Sequence, residues 1–324
     1  MTLRLRTIVR RIPVVLTDGM TQTTRIQPDE IQSDESLANP TVSQQMTTRQ
    51  RPRVLVLGGT GKVGRRVASR LTARGAPVRI GARSATPAFD WNNPATWGRV
   101  LEGAQNVFIS YAPDIAVPGA PQAVEQFTKQ AAAAGVRRVV LLSGRGEEEA
   151  EAAERLVRRA PLPWTIVRCS WFAQNFSEDF LLDPILEGQV MLPVDTVTEP
   201  FVDCDDIAEV AAEALLDDRH AGQLYELTGP RLLTFNNALQ EIARASRRPV
   251  RFTTITPEEF TAGLTAAGLH QDEVSLISYL FSTVLDGRNS SLGNGVERAL
   301  GRPPRDFADY ARETAKTGIW SSRD

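Results

Sequence analysis

Residues that crosslink a chain or bind metals are scarce in this sequence. Its 324 residues include two cysteines, Cys169 and Cys204, and two histidines, His220 and His270. No CxxC, HxxxH or HExxH spacing occurs, so the sequence predicts neither a disulfide framework nor a metal site. Isolated cysteines are typical of proteins of the reducing cytoplasm, which is the compartment we expect.

Long apolar runs and an excess of one charge are missing as well. No run of about 18 apolar residues occurs, so the sequence predicts no membrane-spanning helix. The net charge of −2 gives no excess of positive charge, the usual mark of a nucleic-acid-binding protein. Hydrophobic residues make up 42% and charged residues 23%, as in ordinary globular domains. We therefore expect a small-molecule substrate, no nucleic-acid or membrane partner, and a monomer or a homodimer.

Residues 1–50 differ from the remainder, because they are rich in Thr, Gln, Ser and Arg and show no sustained period. The first 17 residues hold four arginines and no acid, a composition that targeting peptides share. A disordered extension, or a true translation start at Met46, explains the segment without a targeting role. We favour these two interpretations.

From Arg53 onward, strand and helix patterns alternate. Val54–Leu57 is a short apolar run typical of a buried parallel strand, and Val63, Val67 and Leu71 then recur at helical spacing. Further predicted strands are 78–81, 88–90, 106–110, 138–143 and 164–168, and further predicted helices are 123–134 and 147–159. The alternation predicts an α/β fold with a doubly wound parallel sheet of Rossmann type and right-handed crossovers.

After Cys169 the pattern becomes mainly helical. We predict strands at 201–203 and 223–227, a helix capped by Asp205 or Asp206, and helices at 235–246, 257–267, 270–285 and 306–317. The predicted domains are a Rossmann core at 51–175 and a small, mostly helical substrate lobe at 176–324. Residues 199–229 are predicted to return to the Rossmann sheet.

The segment Gly58-Gly-Thr-Gly-Lys-Val-Gly64 joins the first strand to the first helix. In this GxxGxxG spacing, the first glycine makes a tight turn, the second lets the backbone approach a pyrophosphate, and the third lets the helix lie close to the sheet. The helix N-terminus offers free N–H groups and a positive dipole end to the phosphates. We therefore predict a dinucleotide site contacted by Gly58, Thr60, Gly61, Lys62, Val63 and Gly64.

The second predicted strand ends at Gly81-Ala-Arg83-Ser84, where an acid would bind the ribose hydroxyl of NAD. Arg83 stands there instead, and a guanidinium suits a 2′-phosphate, so NADP(H) is favoured over NAD(H). Arg79 and Lys62 could add positive charge. Residues that follow the other strands border the same crevice, and among them we predict cofactor contacts by Asp90, Ser110, Tyr111 and Ser143.

Several motifs together resemble the NmrA-like branch of the atypical short-chain dehydrogenase/reductases. They are Gly58–Gly64, the Arg83 pattern, Leu141-Leu-Ser-Gly144, Trp164-Thr-Ile-Val-Arg168, Trp171-Phe-Ala-Gln-Asn-Phe176, Asp206-Ile-Ala208, and Ala299-Leu-Gly-Arg-Pro-Pro304 with Phe307 and Tyr310. The resemblance spans about residues 52–320. It implies a Rossmann domain that binds NAD(P) and a small C-terminal lobe over the nicotinamide.

The same resemblance reveals a departure. Classical members use a Tyr-x-x-x-Lys pair, in which the tyrosine is the acid and the lysine lowers its pKa. Aligned on Glu154, that pair falls at Gly146 and Ala150, so both side chains are absent. Ser143 matches the family's serine position without its usual partners. The catalytic residues stay open, with Ser143, Tyr111 and Tyr279 as candidates.

A substrate pocket is predicted from the residues after the strand at 164–168. Trp171, Phe172 and Asn175 give an aromatic wall with one amide, which suits a flat or apolar ligand, although interdomain packing explains them nearly as well. His270 is added from the C-terminal lobe. The acidic run Glu147–Glu151 is interpreted as a solvated helix N-terminus rather than as a paired-carboxylate site.

These observations favour an NADPH-dependent oxidoreductase that reduces a small organic molecule, such as a carbonyl, imine or quinone-like intermediate of secondary metabolism. Iminium and quinone-like substrates need little help from a protein acid. A non-catalytic NAD(P)-binding redox sensor of the NmrA type is the alternative, and the missing Tyr-x-x-x-Lys pair adds to its weight. A nucleotide-dependent epimerase or isomerase is a second alternative.

Overall fold

The computed structural model describes residues 51–321, and the expectations for residues 1–50 lie outside this range. Within it the strands are β1 (Val54–Leu57), β2 (Val78–Gly81), β3 (Asn106–Ile109), β4 (Arg138–Gly144), β5 (Trp164–Cys169), β6 (Gln189–Leu192), β7 (Thr198–Glu199), β8 (Gln223–Leu227), β9 (Leu233–Thr234) and β10 (Arg251–Thr254). The α-helices are α1 (Lys62–Ala73), α2 (Trp97–Leu101), α3 (Ala120–Ala133), α4 (Glu148–Arg158), α5 (Asn175–Glu178), α6 (Leu182–Glu187), α7 (Cys204–Leu216), α8 (Phe235–Ser246), α9 (Pro257–Ala266), α10 (Gln271–Tyr279), α11 (Gly295–Leu300) and α12 (Phe307–Lys316).

The central sheet has six parallel strands in the order β2-β1-β3-β4-β5-β8. From β1 the chain pairs β2 on one side and then crosses to place β3 on the other. At such a reversal the loops that leave the two strands separate and open a crevice at their carboxyl ends. The predicted Rossmann-type sheet is therefore confirmed, and it fixes where a ligand can enter.

Helices cover both faces of the sheet, and the central strand β1 is apolar on both sides. Val54 and Val56 of β1 pack with α1 and α7, whereas Leu55 and Leu57 pack on the opposite face with residues of α2, α3 and α4. Alternate residues of a strand point to opposite faces, so a strand buried on both sides has no polar position. All four residues of β1 are fully buried.

Residues after β5 build a third apolar cluster. It joins residues of β6, α8 and α12 with the aromatic side chains of Phe176, Phe201 and Phe281. A parallel pair, β6 with β10, and an antiparallel pair, β7 with β9, lie outside the central sheet. Strand β8 pairs with β5 in the central sheet, so the chain leaves that sheet after β5 and returns to it.

Several local predictions were wrong. No strand forms at 88–90, because Phe89 instead packs edge-on against Trp91 and Phe127. At 201–203 there is only a bridge between Phe172 and Val202.

Helix ends and short elements account for the other differences between the predicted and the observed secondary structure. Helix α7 is capped by Asp203, whose side chain accepts from the Asp205 N–H, and not by Asp205 or Asp206. The helix predicted at 270–285 ends as α10 at Tyr279 and continues as a π-helical turn over Leu280–Val284. Strands β6, β7, β9 and β10 and the short helices α2, α5, α6 and α11 were not predicted. Between residues 51 and 321, no helix has both the length and the apolarity to cross a membrane.

Candidate functional site

The loop between β1 and α1 has the backbone geometry of a phosphate cradle. Gly58 has φ +65°, a conformation that favours glycine, and its carbonyl accepts from the Gly61 N–H at 2.9 Å. A Cβ on Gly64 would collide with that same carbonyl, so only glycine lets α1 approach the loop this closely. No side chain caps α1 and its first turn has no acid, which leaves the first N–H groups free for an anion. The loop therefore fits the pyrophosphate of a dinucleotide.

This loop forms one side of a cavity of about 420 Å³ at the carboxyl ends of β1, β3, β4 and β5. The cavity brings together most of the residues predicted from the sequence. Those that line it are Gly58, Thr60, Gly61, Lys62, Val63, Gly64, Ser110, Tyr111, Ser143, Trp171, Phe172 and Asn175. Leu280 of the π-helical turn also lines the cavity, and so do Asp114, Glu147 and Asp179, none of which was predicted to.

Three residues proposed for the cofactor do not line this cavity. Arg83 is exposed after β2, and no hydrogen bond or ion pair engages it within residues 51–321. Asp90 holds a turn, because its Oδ1 accepts from the Asn92 N–H at 3.0 Å. The Arg79 guanidinium donates to the carbonyl oxygens of Val100 and Glu102, each at 2.7 Å. The Arg79 guanidinium thus holds the end of α2.

The two residues proposed from the C-terminal region also lie off the cavity. The His270 side chain is 77% exposed, and its backbone N–H donates to the Glu273 carboxylate at 3.0 Å. His270 therefore occupies the N-cap position of α10. Tyr279 ends α10 half-buried, and the neighbour that reaches the cavity is Leu280. The structure brings neither His270 to the pocket nor Tyr279 to a catalytic position in it.

Lys62 links the phosphate loop to the opposite wall. Its Nζ donates to Asn175 Oδ1 at 2.9 Å and forms an ion pair with Asp179. Asn175 begins α5, which follows the aromatic segment after β5. One ammonium group at the end of the Gly58–Gly64 loop therefore also holds the beginning of α5.

The hydroxyl group of Ser143, near the end of β4, donates its hydrogen bond to another side chain of the protein. Its Oγ donates to Glu154 Oε1 at 2.6 Å, and Arg168 Nε donates to the same oxygen at 2.9 Å. The hydrogen bond and the charge of Glu154 raise the pKa of the Arg168 guanidinium. Ser143 is thus part of a buried ion-pair network and is a poor candidate for a proton donor.

Glu147 is one of the cavity residues that the sequence did not predict. Its neighbour Glu148 is exposed, as expected for a solvated helix N-terminus, but the Glu147 Oε2 atom is buried and has no hydrogen-bond partner among residues 51–321. Burial, reinforced by the carboxylates of Asp114 and Glu154, raises the pKa of Glu147 well above its ordinary value. Burial also raises the pKa of Asp114. The only signal in the sequence was a glutamate that directly follows Gly144-Arg-Gly146, at the end of the predicted strand.

An aromatic wall closes the remaining side. The Trp171 ring meets Phe281 edge-on at 5.1 Å and Phe235 at 5.7 Å between ring centroids, so packing from behind holds it in place. Phe172 and Phe180 line the cavity beside it. Tyr111 lines the facing rim, tilted against Trp91 at 4.8 Å, and burial raises the pKa of its phenol.

Comparisons with known proteins fit this geometry. A family model described as NAD(P)H-binding matches residues 58–218. The chain is 29% identical to prestalk A differentiation protein A of Dictyostelium discoideum, over 81% of this chain and 92% of that protein. It is 31% identical to the uncharacterized oxidoreductase YesF of Bacillus subtilis, over 83% and 96%. It is 30% identical to agroclavine dehydrogenase of Claviceps fusiformis, over 84% and 99%.

Solved structures share the fold at lower identity. Triphenylmethane reductase of Citrobacter sp., complexed with NADP(H), superposes with a TM-score of 0.64 at 19% identity, covering 82% of this chain and 99% of that one. An NADPH-dependent quinone oxidoreductase of Escherichia coli, complexed with NADPH, superposes with a TM-score of 0.66 at 19% identity, covering 80% and 99%.

Proposed function

The chain belongs to the NmrA-like atypical short-chain dehydrogenase/reductases, a family of NAD(P)H-dependent oxidoreductases, and from this premise we propose that it is an NADPH-dependent reductase of a flat, conjugated organic acceptor. One observation carries the proposal. A single cavity is bordered by the Gly58–Gly64 loop on one side and by the Trp171–Phe172 wall on the other. A cofactor and an apolar acceptor bound there would share one space.

The residues around the cavity suggest which part of the cofactor each would bind. The Gly58–Gly64 backbone and the first turn of α1 would hold the pyrophosphate, and Arg83 would bind the 2′-phosphate that distinguishes NADPH from NADH. When bound, a reduced nicotinamide supplies a hydrogen with its electron pair to an electrophilic carbon. The protein's part is to orient the acceptor against the aromatic wall and to exclude water.

Two properties of the cavity favour a flat acceptor. Trp171, Phe172, Phe180 and Leu280 present apolar surface, and the Trp171 ring is held by the aromatic side chains behind it. Two solved structures of this fold are, by name, reductases of triphenylmethane dyes and of quinones, which are conjugated acceptors. Carbonyl and imine substrates of similar shape belong to the same proposal.

The family's usual acid has no counterpart in this proposal. Gly146 has φ +74°, and a Cβ there would press on the Asn289 side chain. Ala150 is fully buried on α4. A tyrosine and a lysine at these positions would need a different turn and a different core, so the reaction proceeds without that pair.

We extend the proposal to the domain organisation and the compartment. Residues 51–175 would form the cofactor half and residues 176–324 the substrate lobe, with 199–229 returning to the sheet, which the separate apolar clusters and the pairing of β8 support. Both cysteines are buried and free, which suits a reducing cytoplasm.

The test is a consumption assay for reduced cofactor with a panel of acceptors. The panel contains a naphthoquinone, a triphenylmethane dye, a cyclic imine and an aromatic aldehyde, each tried with NADPH and with NADH. We expect turnover with at least one acceptor and a higher kcat/KM with NADPH. Trp171→Ala should raise the KM for that acceptor, whereas Trp164→Phe, at the other end of β5, should not.

Two outcomes would contradict the proposal. Tight nucleotide binding without turnover of any acceptor would favour the redox sensor. Isomerisation of a substrate without net loss of NADPH would favour the epimerase.

A further inference from the structure

The turn between β4 and α4 places an acid in the cavity that has no assigned task. Glu147 lines the cavity beside Ser143 and Gly144. Its Oε2 atom is buried, and no donor or acceptor among residues 51–321 satisfies it. A buried polar atom without a partner costs free energy, so its retention calls for a reason. A ligand group in the cavity would provide the missing partner.

The position of this carboxyl group is built into the fold. A Cβ on Gly144 would overlap the Glu147 carboxylate, so the glycine makes the space that the acid fills. The turn is anchored from the C-terminal region, because Asn289 Nδ2 donates to the Arg145 carbonyl at 3.0 Å and Arg145 Nη1 donates to the Asn289 carbonyl at 2.8 Å. The carboxyl group therefore does not cap its own helix but lies back over the end of β4.

The surroundings of Glu147 favour its neutral form. The titratable and charged groups around it on neighbouring elements are Asp114 after β3, Glu154 on α4 with its partner Arg168, Cys169 on β5, and Lys62 with Asp179 beside Asp114. Several cations in this region are committed elsewhere, since Arg168 pairs with Glu154, Lys62 with Asp179 and Arg145 with Glu226. Burial and two carboxylates then raise the pKa of Glu147, so it keeps its proton to a higher pH than a solvated glutamate.

Other proton donors along the cavity are less suited. The Ser143 hydroxyl already donates to Glu154. Burial raises the pKa of Tyr111, so its phenol holds its proton more firmly than an ordinary tyrosine. The Lys62 ammonium is engaged by Asn175 and Asp179.

We propose that the carboxyl group of Glu147 is the proton donor of the reduction, a role that rests on the reductase function proposed above. In the reduction of a carbonyl or quinone, the acceptor carbon or ring gains a hydrogen with its electron pair from NADPH, which is oxidised to NADP+. The C=O π pair moves to oxygen, an O–H bond forms there, and the carboxyl O–H bond of Glu147 breaks. Water returns a proton to the carboxylate after the product leaves.

Two acceptors separate this role from a structural one. A neutral quinone or aldehyde needs a proton, whereas a triphenylmethane cation becomes a neutral product on gaining the hydrogen and electron pair alone. In Glu147→Gln we expect kcat for the neutral acceptor to fall by about 100-fold, a usual size for general acid catalysis, with kcat for the cation changed less than about threefold. The matched control is Glu148→Gln, an exposed glutamate one residue away, which should leave both rates unchanged.

Gly144→Ala is a second variant that keeps Glu147 but displaces its carboxyl group. It should reproduce the selective loss with the neutral acceptor while NADP+ affinity, measured by calorimetry, stays within about twofold. Equal losses with both acceptors in Glu147→Gln would overturn the proposal, as would an unchanged rate with the neutral acceptor.

A spectroscopic measurement needs no turnover. The infrared difference spectrum between wild type and Glu147→Gln at neutral pH should contain the C=O stretch of a protonated carboxylic acid, absent from the wild-type minus Glu148→Gln spectrum. Asp114→Asn should shift the titration of that band to lower pH, because a repelling carboxylate is removed. A missing band would overturn the assignment of Glu147. A wild type that turns over no acceptor would overturn the proposed function instead, and the band would still report the state of Glu147.

Discussion

The turns that follow β1 and β4 are built alike and differ in what they offer the cavity. Each leads from a buried parallel strand into a helix, and each contains a glycine with positive φ, +65° at Gly58 and +74° at Gly146. Helix α1 begins with no acid in its first turn, whereas α4 begins with Glu148, Glu149 and Glu151. In the turn between β1 and α1, the N–H groups at the start of the helix stay free for an anion from solution. In the turn between β4 and α4, acidic side chains already neutralise the positive end of the helix dipole.

The difference shows how one backbone arrangement takes two tasks. Where the first helical residues carry no negative charge, the turn can bind phosphates. Where they are acidic, the helix end is already neutralised, and the glutamate before it is free to turn back into the cavity. The local charge of a few residues, and not the turn itself, separates the binding side of the site from the proposed chemical side.

Disrupting the turn between β1 and α1 should have the largest effect on nucleotide affinity. Gly64→Ala introduces a methyl group against the Gly58 carbonyl, and backbone must move to relieve the collision. We expect NADP+ affinity to fall by more than about 100-fold, close to 3 kcal/mol, together with a lower Tm. Isothermal calorimetry and thermal unfolding measure the two effects.

Gly263→Ala is the matched control, because this glycine lies within α9 with open space around it. It should leave affinity unchanged and stabilise the helix by about 0.5–1 kcal/mol. Affinity in Gly64→Ala within about threefold of wild type would show that close packing of α1 on the loop is not what makes the phosphate site.

A second buried acid tests whether Glu147 is special or whether any shielded carboxyl group behaves in the same way. Glu199, on β7, is 1% exposed, and burial raises its pKa to about 8, against the stabilising N–H of Trp171 and the charge of Arg145. Unlike Glu147, it does not line the cavity. We therefore expect Glu199→Gln to change the pH dependence of stability and to leave the ratio of rates with neutral and cationic acceptors unchanged.

The direction in which stability changes with pH follows from proton binding by Glu199. Between the ordinary pKa of 4.5 and about 8, the folded protein keeps the Glu199 proton and the unfolded chain does not, so stability falls as pH rises. From pH 6 to pH 8, wild type should lose on the order of 2–3 kcal/mol relative to Glu199→Gln. Denaturant unfolding at the two pH values measures this. Glu187→Gln, at an exposed glutamate, is the control, and parallel pH profiles for wild type and Glu199→Gln would refute the prediction.

The smallest expected effect concerns Arg83, which would extend the anion preference of the first turn to the 2′-phosphate. Arg83→Gln should weaken NADPH binding by about 10-fold, as for one charge-assisted contact that is partly screened by solvent, and leave NADH binding unchanged. Arg137→Gln is the control, since Arg137 is an exposed arginine just before β4, at the amino edge of the sheet. Equal affinities of wild type and Arg83→Gln for NADPH would remove the basis for preferring NADP(H).

The same contrast explains what could be predicted from the sequence. The first turn is a local feature, because strand, glycines and helix lie within about twenty consecutive residues, and each glycine has its own steric reason. Glu147 was misinterpreted because an acidic run before a helix usually means solvent. Its burial depends on Gly144, on Asp114 from another loop and on the anchoring contacts of Asn289, and pairings across long sequence separations leave no local pattern.

Aromatic packing accompanies two of the other errors. The expected strand at 88–90 gives way to contacts of Phe89 with Trp91 and Phe127. The helix expected to run to 285 changes to a π-helical turn after Tyr279, where Leu280 faces the cavity and Phe281 packs on Trp171. Propensity and period describe single segments, and both departures occur where side chains from separate segments share one core.

The contacts of Lys62 relate the binding of a nucleotide to the binding of an acceptor. The same ammonium belongs to the nucleotide loop and ties down Asn175 and Asp179 on the far wall. A diphosphate that attracts Lys62 is expected to weaken its hold on that wall, and by thermodynamic reciprocity an occupant that moves the wall would then change the affinity for the diphosphate. We therefore expect nucleotide and acceptor to bind as coupled ligands, with Lys62 linking the two sides of the cavity.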